Sequence, residues 1–570
     1  MHYLALACDY DGTLATHGKV HEETIQALER VVASGRKLIL VTGRILADLQ
    51  HVFDRLDLFD YIVAENGAVL YHPATTSEKR LGEAPPERFI QMLRARGVTP
   101  LATGSVITAT TQPHETSALA AIRALGLELQ VIFNKGAVMI LPEGINKGTG
   151  LAAALRELKF SAHNVAGIGD AENDHSFLQM CECSVAVANA LPALKEQADF
   201  TTSGSHGAGV VELIEHLLAD DLQEISRRVT RHILMLGRQP GDEPVLLHPQ
   251  RASILIAGPS GSGKSTLATS LLEQLATQAY QFCLIDPEGD YETVQEAITL
   301  GDAHKEPGIS EIIQLLEKSE SNAVVNLLGS PLAERPSFVR NLLPAIQDLQ
   351  TRYGHPHWLI LDEAHHLFPR EWDASMLVKV HDQFSLLLIT AHPEHMSRQV
   401  LELVDTIISV GTEAFPILTM FSTAVGQHPP TIPNSPVEPG EIAVWFRRTQ
   451  QVPLRARPLP PRQEHLRHKR KYAQGDLGED VSFYFRGPQN KLNLRAQNLQ
   501  LFTQIAHGVD DETWLFHLRR GDYSHWFRHA IKDEDLALEV GRIERDQQIS
   551  ARESRARIQA AIEQRYTLPA

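Results

Sequence analysis

Short apolar runs alternate with helical patterns from the first residues of the chain, and this alternation constrains the fold more than any other feature. Residues 3–8, 37–42 and 61–64 are apolar runs of strand length, and residues 21–34 place apolar side chains at helical spacing. Strands joined by helices in this order predict a parallel, doubly wound sheet. A second series of the same kind begins near Ser253. The sequence therefore predicts an α/β fold with two such domains.

The length and composition limit the class of protein. A chain of 570 residues predicts three or four domains, and 43% hydrophobic with 22% charged residues is ordinary for a globular protein. No stretch approaches the roughly 20 apolar residues of a membrane span, and the first residues lack the pattern of a secretory signal. We therefore expect a cytoplasmic protein without a membrane partner. The net charge of −17 argues against a dedicated nucleic-acid partner.

Composition shifts along the chain suggest five segments. We expect a discontinuous α/β core, an inserted α/β cap, a second α/β domain, a linker rich in Pro, Arg and Lys, and a small, mainly helical C-terminal domain. The predicted boundaries are 1–72 and 141–218 for the core, 73–140 for the cap, 230–455 for the second α/β domain, 456–480 for the linker and 481–570 for the C-terminal domain.

Polar residues of four segments follow or flank the predicted strands of the first domain. Asp9 and Asp11 come directly after the first strand, in the run DYDGT, and Thr42 follows the next one. Lys147 precedes a helix, and Asp170 and Asp174 come after a further strand. Ligands of open α/β sheets bind beyond the carboxyl ends of the strands, so we expect these side chains to meet there. Carboxylates, a hydroxyl and an ammonium can hold a phosphoryl group and a hard cation.

In these motifs, in their order, the chain resembles the haloacid-dehalogenase superfamily, in its branch of sugar-phosphate phosphatases with an α/β cap. The resemblance implies that Asp9 is the nucleophile that forms an aspartyl-phosphate. It implies that Asp11 first protonates the leaving group and then activates water. Thr42 and Lys147 would hold the phosphoryl oxygens, and the substrate would be a small phosphorylated metabolite, such as a sugar or polyol phosphate.

The same resemblance implies a magnesium site. Its ligands would be Asp9, Asp170 and the backbone carbonyl of Asp11, with Asp174 close by or bound through water. Mg²⁺ is thus an expected cofactor of the first domain. The cap is expected to choose the leaving group, although its sequence does not name one.

A phosphate-binding loop opens the second α/β domain. It follows the apolar run 254–257 and precedes a helical run, which is the setting that this motif requires. Backbone N–H groups of such a loop wrap phosphates, while Lys264 reaches the β and γ oxygens and Ser265 binds magnesium. We therefore expect ATP as a ligand. The predicted ATP-binding residues are Gly258, Pro259, Ser260, Gly261, Ser262, Gly263, Lys264, Ser265 and Thr266, together with Asp362.

The second half of this site follows a later apolar strand. Asp362 is expected in the magnesium shell beside Ser265, and Glu363 is placed to activate water, which favours ATP hydrolysis. Residues 284–291, 387–393 and 404–408 resemble segments of the HerA/FtsK group of ATPases. The glutamine usual at that group's sensor is absent here, so the resemblance implies either that Thr390 or His392 takes its place or that coupling is weakened.

Three hypotheses follow for the whole chain. In the first, the phosphatase is the output and the ATPase domain assembles or gates it, through a homo-oligomer that the HerA/FtsK resemblance implies. In the second, the ATPase is a ring-forming nucleic-acid translocase with an attached nucleotide or end phosphatase. In the third, the nucleotide only supports oligomerisation. Residues 227–458 carry 18 Lys and Arg against 26 Asp and Glu, which disfavours the second. Intact Asp362 and Glu363 disfavour the third.

The C-terminal segment carries an aromatic cluster whose default interpretation is a packed core. Trp514, Tyr523, Trp526 and Phe527 are its main members. The basic run 467–471 before it has the composition of a solvated linker, with a nucleic-acid role as the less favoured alternative.

Overall fold

The structure is a computed structural model, which describes most of the 570 residues. The described part is residues 1–570 except 260, 292–293, 381–383, 412, 434–435, 463–471, 473–476, 478–480, 532 and 567–570. The chain divides into two compact units. The first comprises Met1–Gly258, Leu271–Pro287 and Glu296–Leu459, and the second comprises Pro259–Ser270, Glu288–Gln295 and Pro460–Ala570.

An eight-stranded sheet forms the core of the first domain. Its strands, in spatial order, are Phe200–Thr201, Cys183–Ala186, Val165–Gly169, Ala5–Asp9, Lys37–Val41, Tyr61–Ala64, Val69–His72 and Ser77–Arg80. The first six run parallel and the last two antiparallel. The parallel strands are almost wholly buried, as strands covered on both faces must be. The helices of this domain are Glu22–Ala33, Leu46–Val52, Lys147–Leu158, His175–Leu178, Pro192–Gln197, Gly207–Asp220 and Gln223–Ser226.

A smaller antiparallel sheet is inserted into this domain as the cap. Its strands, in spatial order, are Leu129–Asn134, Ala137–Pro142, Thr108–Thr111 and Ala102–Thr103. The helices Glu87–Ala95 and Glu115–Leu125 contribute Phe89, Leu93 and Ile122 to a separate apolar core with Val138 and Ile140 from the sheet. A short hairpin, Ala15–Thr16 with Lys19–Val20, follows the first strand of the core sheet.

The second large sheet has eleven strands. In spatial order they are Pro244–Leu247, Leu234–Arg238, Leu454–Pro458, Ile442–Phe446, Thr406–Val410, Ser253–Ala257, Ser385–Thr390, Trp358–Leu361, Phe282–Asp286, Asn322–Asn326 and Ala297–Leu300. The seven strands from Thr406–Val410 onward are parallel. The helices of this domain are Lys264–Thr277, Ile309–Leu316, Arg335–Tyr353, Ala364–Leu367, Ser375–Val380, Arg398–Leu403 and Ala414–Val425.

The C-terminal segment is mainly helical and belongs to the second unit. A two-stranded sheet, Phe483–Phe485 with Leu494–Ala496, precedes the helices Leu499–Gly508, Asp511–Arg520, Asp522–His529, Glu534–Arg545 and Ala551–Tyr566. The aromatic residues singled out in the sequence are buried in one apolar cluster. Tyr523 stacks on Trp514, with ring centroids 4.4 Å apart. The basic run 467–471 lies outside the described residues.

The four cysteines are buried and unpaired. Among the helices that the structure describes, none combines the length and the apolar character needed to cross a membrane.

Candidate active sites

The core sheet brings the first set of polar residues to one edge. Asp9 ends the strand Ala5–Asp9, which lies between Lys37–Val41 and Val165–Gly169. Thr42 and Asp170 come directly after those two neighbours, and all three strands are parallel. The side chains of all three residues are buried. The carboxyl ends of adjacent parallel strands thus build a pocket edge of two carboxylates and a hydroxyl, as the sequence predicted.

Lys147 lies at the centre of this edge. Its Nζ donates to Asp9 Oδ1 at 2.6 Å and to Asp174 Oδ1 at 2.5 Å, and its side chain is only 1% exposed. Lys147 begins the helix Lys147–Leu158, whose N-terminus is fixed by Asn146, because the Asn146 side chain accepts from the backbone N–H of Thr149. The helix cap therefore sets the position from which the ammonium enters the site.

Asp174 orients its neighbours through both carboxylate oxygens. While Oδ1 accepts from Lys147, Oδ2 accepts from the backbone N–H groups of Asp170 and Ala171 at 2.9 Å each. Hydrogen bonds of this kind fix the turn after the strand Val165–Gly169 and so aim the Asp170 side chain. Asp174 thus connects the turn that carries Asp170 to the buried ammonium of Lys147.

Negative charge accumulates in this buried edge. Asp9, Asp170 and Asp174 place carboxylate oxygens within 4.8 Å of one another. Burial and the neighbouring Asp174 raise the pKa of Asp9 to about 8, and burial raises the pKa of Asp170. The strand end is deeply buried and lies close to a second carboxylate, so Asp9 does not keep the ordinary pKa of an aspartate. A cation at this position would lower the pKa of Asp9 again.

The donor set suits a hard divalent cation. Asp170 Oδ1 is buried and has no hydrogen-bond partner among the described residues, although its other oxygen is engaged. An unpartnered buried carboxylate oxygen is costly unless it binds a ligand. Oxygen ligands are those that Mg²⁺ prefers, so these residues fit that ion.

Asp11 lies two residues beyond Asp9 and is held by an arginine. Arg44 Nε and Nη2 donate to the two oxygens of Asp11, each at 2.6 Å, in a bidentate pair. This pair raises the pKa of Arg44. Arg44 follows Thr42 by two residues, so the loop after the strand Lys37–Val41 supplies both a buried hydroxyl and a cation at the mouth of the site.

The cap also contributes a cation, which the sequence did not reveal. Lys135, at the tip of the cap hairpin, donates from Nζ to Asp170 Oδ2 at 2.5 Å. Its side chain is 45% exposed, whereas Asp170 is 2% exposed. A single lysine in a turn carries no periodic signal, and its place over the core depends on how the cap is docked.

Glu65 binds the turn between the first two strands of the cap sheet, Ala102–Thr103 and Thr108–Thr111. Its carboxylate accepts from the backbone N–H groups of Ser105, Val106 and Ile107 at 2.8–2.9 Å. Glu65 and Asn66 both have positive φ, 52° and 56°, which is unfavourable for residues with a Cβ. The carboxylate of Glu65 therefore fixes this turn of the cap to the loop after the strand Tyr61–Ala64.

The predicted phosphate-binding loop follows a central strand of the second sheet. The strand Ser253–Ala257 leads into Gly258, and the helix Lys264–Thr277 begins at the loop's end. Gly261 and Gly263 have φ of 78° and 102°, a conformation that side chains with a Cβ disfavour. Lys264 Nζ donates to the carbonyl of Pro259 at 3.0 Å. Ser260, also predicted to bind ATP, lies outside the described residues.

One strand separates the strand before this loop from the strand that leads to Asp362. That strand ends in Thr390, whose Oγ1 lies 3.0 Å from His365 Nδ1. The same nitrogen lies 3.4 Å from Glu363 Oε2. Glu363 has a φ of 41°, an unusual backbone conformation at the residue predicted to activate water. Thr390 therefore contacts Glu363 through a histidine, a link that the sequence did not suggest.

Two kinds of domain are defined by this architecture. The first is a capped α/β domain with buried carboxylates and a lysine at the strand ends. The second is an α/β domain whose central strand leads into a glycine-rich phosphate loop. Residues 6–118 and 122–214 match the family model described as haloacid dehalogenase-like hydrolase. Residues 248–399 match the model described as AAA domain.

Several known proteins are similar to the first domain. The phosphoglycolate phosphatase of Methanothermobacter thermautotrophicus is 30% identical over 227 residues, which cover 98% of that protein and 38% of this chain. Phosphoglycolate phosphatase 2 of Saccharolobus solfataricus is 27% identical over 220 residues, covering 93% of that protein and 38% of this chain.

Among solved structures, a haloacid dehalogenase-like hydrolase from Bacteroides thetaiotaomicron has a TM-score of 0.34 and 19% identity. The match covers 99% of that chain and 38% of this one. The phosphoglycolate phosphatase of Methanothermobacter thermautotrophicus is matched at 30% identity over 98% of its length. The chain therefore belongs, through its first domain, to the haloacid dehalogenase-like hydrolases. A P-loop AAA domain follows it in the same chain.

Proposed function

We propose that the first domain is a Mg²⁺-dependent phosphatase that hydrolyses a phosphomonoester through an aspartyl-phosphate. The observation that carries this proposal is the buried edge of Asp9, Lys147 and Asp170, in which Asp170 Oδ1 has no partner within the described part of the chain. An ammonium against the nucleophile and an open oxygen for a cation are what attack on a doubly charged phosphoryl group requires, because they offset its charge.

In the proposed reaction the Asp9 carboxylate attacks phosphorus, and the bond from phosphorus to the leaving oxygen breaks. Asp11 gives its proton to that oxygen and then takes a proton from the water that hydrolyses the aspartyl-phosphate. Thr42 and Lys147 hold the phosphoryl oxygens. Because Arg44 occupies both oxygens of Asp11 in the structure, Asp11 must be released from this ion pair before it can act as an acid.

Mg²⁺ would be held by Asp9, Asp170 and the backbone carbonyl of Asp11, with Asp174 positioning Asp170 and Lys147. When bound, it would neutralise charge on the phosphoryl oxygens and orient them. Lys135 would then have to leave Asp170 Oδ2, or share that carboxylate with the ion.

We propose a small phosphorylated metabolite as the substrate. The relatives named as phosphoglycolate phosphatases favour 2-phosphoglycolate, and the capped sugar-phosphatase pattern favours a sugar or polyol phosphate. A phosphatase screen against both groups of compounds, with and without Mg²⁺ and with and without ATP, tests the proposal. Phosphate release from none of them, with p-nitrophenyl phosphate also inert, would reject it.

We further propose that the second α/β domain binds and hydrolyses ATP. Support comes from the glycine-rich loop in its strand–loop–helix setting and from the strand that ends before Asp362. Lys264 would reach the β and γ oxygens, Ser265 and Asp362 would hold Mg²⁺, and Glu363 would activate water. The contact of His365 with both Glu363 and Thr390 is suited to orient that carboxylate. Equilibrium titration with ATP tests whether the domain binds the nucleotide, and release of ADP tests whether it hydrolyses it.

Kinship with the HerA/FtsK group is part of the proposal, since only the wider AAA match was found. The alternative function, a nucleic-acid translocase with an attached phosphatase, requires ATPase stimulation by DNA and binding that weakens steeply with salt. Titration of the ATPase rate with double-stranded and single-stranded DNA at several salt concentrations decides between them. We expect no stimulation at physiological salt.

A further inference from the structure

The turn at the tip of the cap hairpin holds a lysine in a backbone conformation that is unfavourable for it. The strands Leu129–Asn134 and Ala137–Pro142 pair so that Asn134 faces Ala137, which leaves Lys135 and Gly136 as a two-residue turn. Both have positive φ, 48° and 88°. Such a turn normally has Asn or Gly at its first position, because a Cβ is unfavourable there. A lysine in a strained turn position indicates that its side chain is needed where it lies.

The Lys135 ammonium lies directly above the catalytic loop. A Cβ added to Gly12 would come within 2.6 Å of Lys135 Nζ and 2.2 Å of Asp170 Oδ2. Gly12 also has a φ of 89°, so this loop keeps both the backbone turn and the space that the lysine needs. The half-exposed stem of Lys135 and the buried Asp170 show that the ammonium enters from the open, cap side of the site.

The two cations at the mouth of the site, Lys135 and Arg44, pair with carboxylates that have other roles in the proposed reaction. Lys135 pairs with Asp170, an expected ligand of Mg²⁺, and Arg44 pairs with Asp11, the expected acid and base. With Mg²⁺ on Asp170 and Asp11 facing the leaving oxygen, Arg44 would lose its counter-ion, and Lys135 would lose its own wholly or in part. Thr42, Lys147 and the ion would already hold the transferred phosphoryl group. The remaining part of the substrate is therefore what the two cations face.

We propose that Lys135, with Arg44, binds a second anionic group on the leaving alcohol, so that the site selects phosphomonoesters that carry a carboxylate or a further phosphate over neutral ones. This proposal rests on the phosphatase function proposed above and narrows its substrate class. Lys135 is a specificity-determining residue in this account: the cap delivers its charge only when the cap lies over the core, which couples cap closure to recognition of the second anion.

The test compares substrates that differ only in the second group. The anionic substrate is 2-phosphoglycolate, the neutral one is 2-hydroxyethyl phosphate, and ethane-1,2-diyl bisphosphate carries a second phosphate instead. We expect Lys135→Gln to lower kcat/KM for 2-phosphoglycolate about ten- to hundredfold, the loss of one charge-assisted hydrogen bond, and to lower it much less for the neutral ester. The control is Lys79→Gln, since Lys79 is an exposed lysine that pairs with Glu157. It should leave both values unchanged.

A binding measurement separates this proposal from the phosphatase function itself. In the Asp9→Asn chain, calorimetry with Mg²⁺ present should give a Kd for 2-phosphoglycolate that Lys135→Gln raises about tenfold or more. The bisphosphate arm shows whether a carboxylate or a phosphate is preferred. Equal losses for anionic and neutral esters would show that Lys135 only latches the cap, and would overturn the proposal. Unchanged constants would overturn it as well. If the phosphatase proposal itself is wrong, the wild-type protein will release no phosphate from p-nitrophenyl phosphate.

Discussion

Tyr280 donates its phenol hydroxyl to Glu182, whose two carboxylate oxygens both lie 3.0 Å from it. Glu182 precedes the strand Cys183–Ala186 of the first sheet, and Tyr280 precedes Phe282–Asp286 of the second. Both residues thus lie at amino ends of parallel strands. Since Asp9 and Asp362 lie at carboxyl ends, this contact joins the two domains on the sides opposite to their candidate sites.

Further polar contacts surround Glu182. His163 Nδ1 and Gln250 Nε2 also contact its carboxylate, and His163 Nε2 donates to the carbonyl of Gln278 at 2.7 Å. The ring of His163 stacks on Tyr280 with centroids 3.7 Å apart. Burial alone would raise the pKa of Glu182, but His163 and other nearby histidines hold it well below its usual range. A buried charge with this many partners ties the domains together.

We predict that Glu182→Ala destabilises the first unit by about 3–5 kcal/mol, because it removes one partner of a buried charged network. Denaturant unfolding followed by fluorescence gives the free energy of unfolding. Tyr280→Phe, which removes a single hydrogen bond, should cost about 1–3 kcal/mol. The control is Glu215→Ala: Glu215 forms an exposed pair with Arg30, and its loss should leave stability nearly unchanged. Glu182→Ala as stable as the wild type would contradict the account of this contact.

Stability should fall as the solution is acidified from about pH 6.5 toward pH 4. Burial lowers the pKa of His2 to about 4 and lowers the pKa values of His232 and His357. In the unfolded chain these imidazoles take up protons near pH 6.5, so in this window the unfolded state binds more protons. Asp9 opposes this trend, because its pKa of about 8 lets the folded state hold one proton in the same window. The three histidines outnumber it, so the free energy of unfolding still decreases with decreasing pH.

Urea unfolding between pH 7.5 and pH 4.5 measures this pH dependence. His357→Gln should flatten the slope, because it removes one buried imidazole, whereas His304→Gln, at an exposed position, should leave the slope unchanged. A wild-type slope near zero, or one that rises toward acid, would refute the prediction.

The nucleophile should be separable from the ATPase. Asp9→Asn is expected to lower phosphatase kcat by at least about a thousandfold, because an amide does not attack phosphorus, while ATP hydrolysis continues. Phosphate release and ADP release are measured on the same preparation. Asp57→Asn is the matched control: Asp57 is exposed and paired with Arg55. Near-normal phosphatase turnover by Asp9→Asn would show that another residue attacks.

Substitutions of Lys264 and Glu363 should affect different steps, namely nucleotide binding and ATP hydrolysis. Lys264→Ala should abolish nucleotide binding, whereas Glu363→Gln should bind ATP normally and hydrolyse it about 10²–10⁴-fold more slowly, the range for loss of a general base. Fluorescent-nucleotide titration and ADP release measure the two effects. Lys305→Ala, at an exposed lysine, serves as the control. If Glu363→Gln hydrolysed ATP at the wild-type rate, Glu363 would not be the base.

The sequence was most informative about site residues whose position follows from regular secondary structure. Asp9, Thr42 and Asp170 could be assigned to one edge because each follows an apolar strand, and adjacent parallel strands end together. Lys135 could not, because its role depends on the docking of an inserted cap whose sequence has no comparable pattern. The pair of Glu182 and Tyr280 was equally hidden, since 98 residues separate them and each belongs to a different sheet.

The last prediction concerns coupling between the two domains. The HerA/FtsK resemblance implies that the nucleotide site is completed by an arginine of a neighbouring subunit, so we expect the protein to form a homo-oligomer when ATP is present. Arg335, Arg340 and Arg398 are the candidates. The Arg398 side chain is 64% exposed and pairs with Glu402 on its own helix. The mass of the protein in solution, measured with ATP, with ADP and without nucleotide, tests the assembly. Lys264→Ala is measured under the same conditions for comparison.

Any gating of the phosphatase must pass through the contacts between the two α/β domains or through neighbouring subunits. These contacts include Glu182 with Tyr280 and Lys159 with Glu317, and Lys159 directly follows the helix that begins at Lys147. Cap opening limits turnover in many lidded enzymes, so nucleotide could change phosphatase kcat without altering its chemistry. A coupling free energy of about 1–3 kcal/mol corresponds to about 5–150-fold. We expect kcat to differ between ATP and ADP in the wild type and in Glu363→Gln, but not in Lys264→Ala. Identical mass and identical kcat in every nucleotide state would leave two enzymes that share a chain without regulating each other.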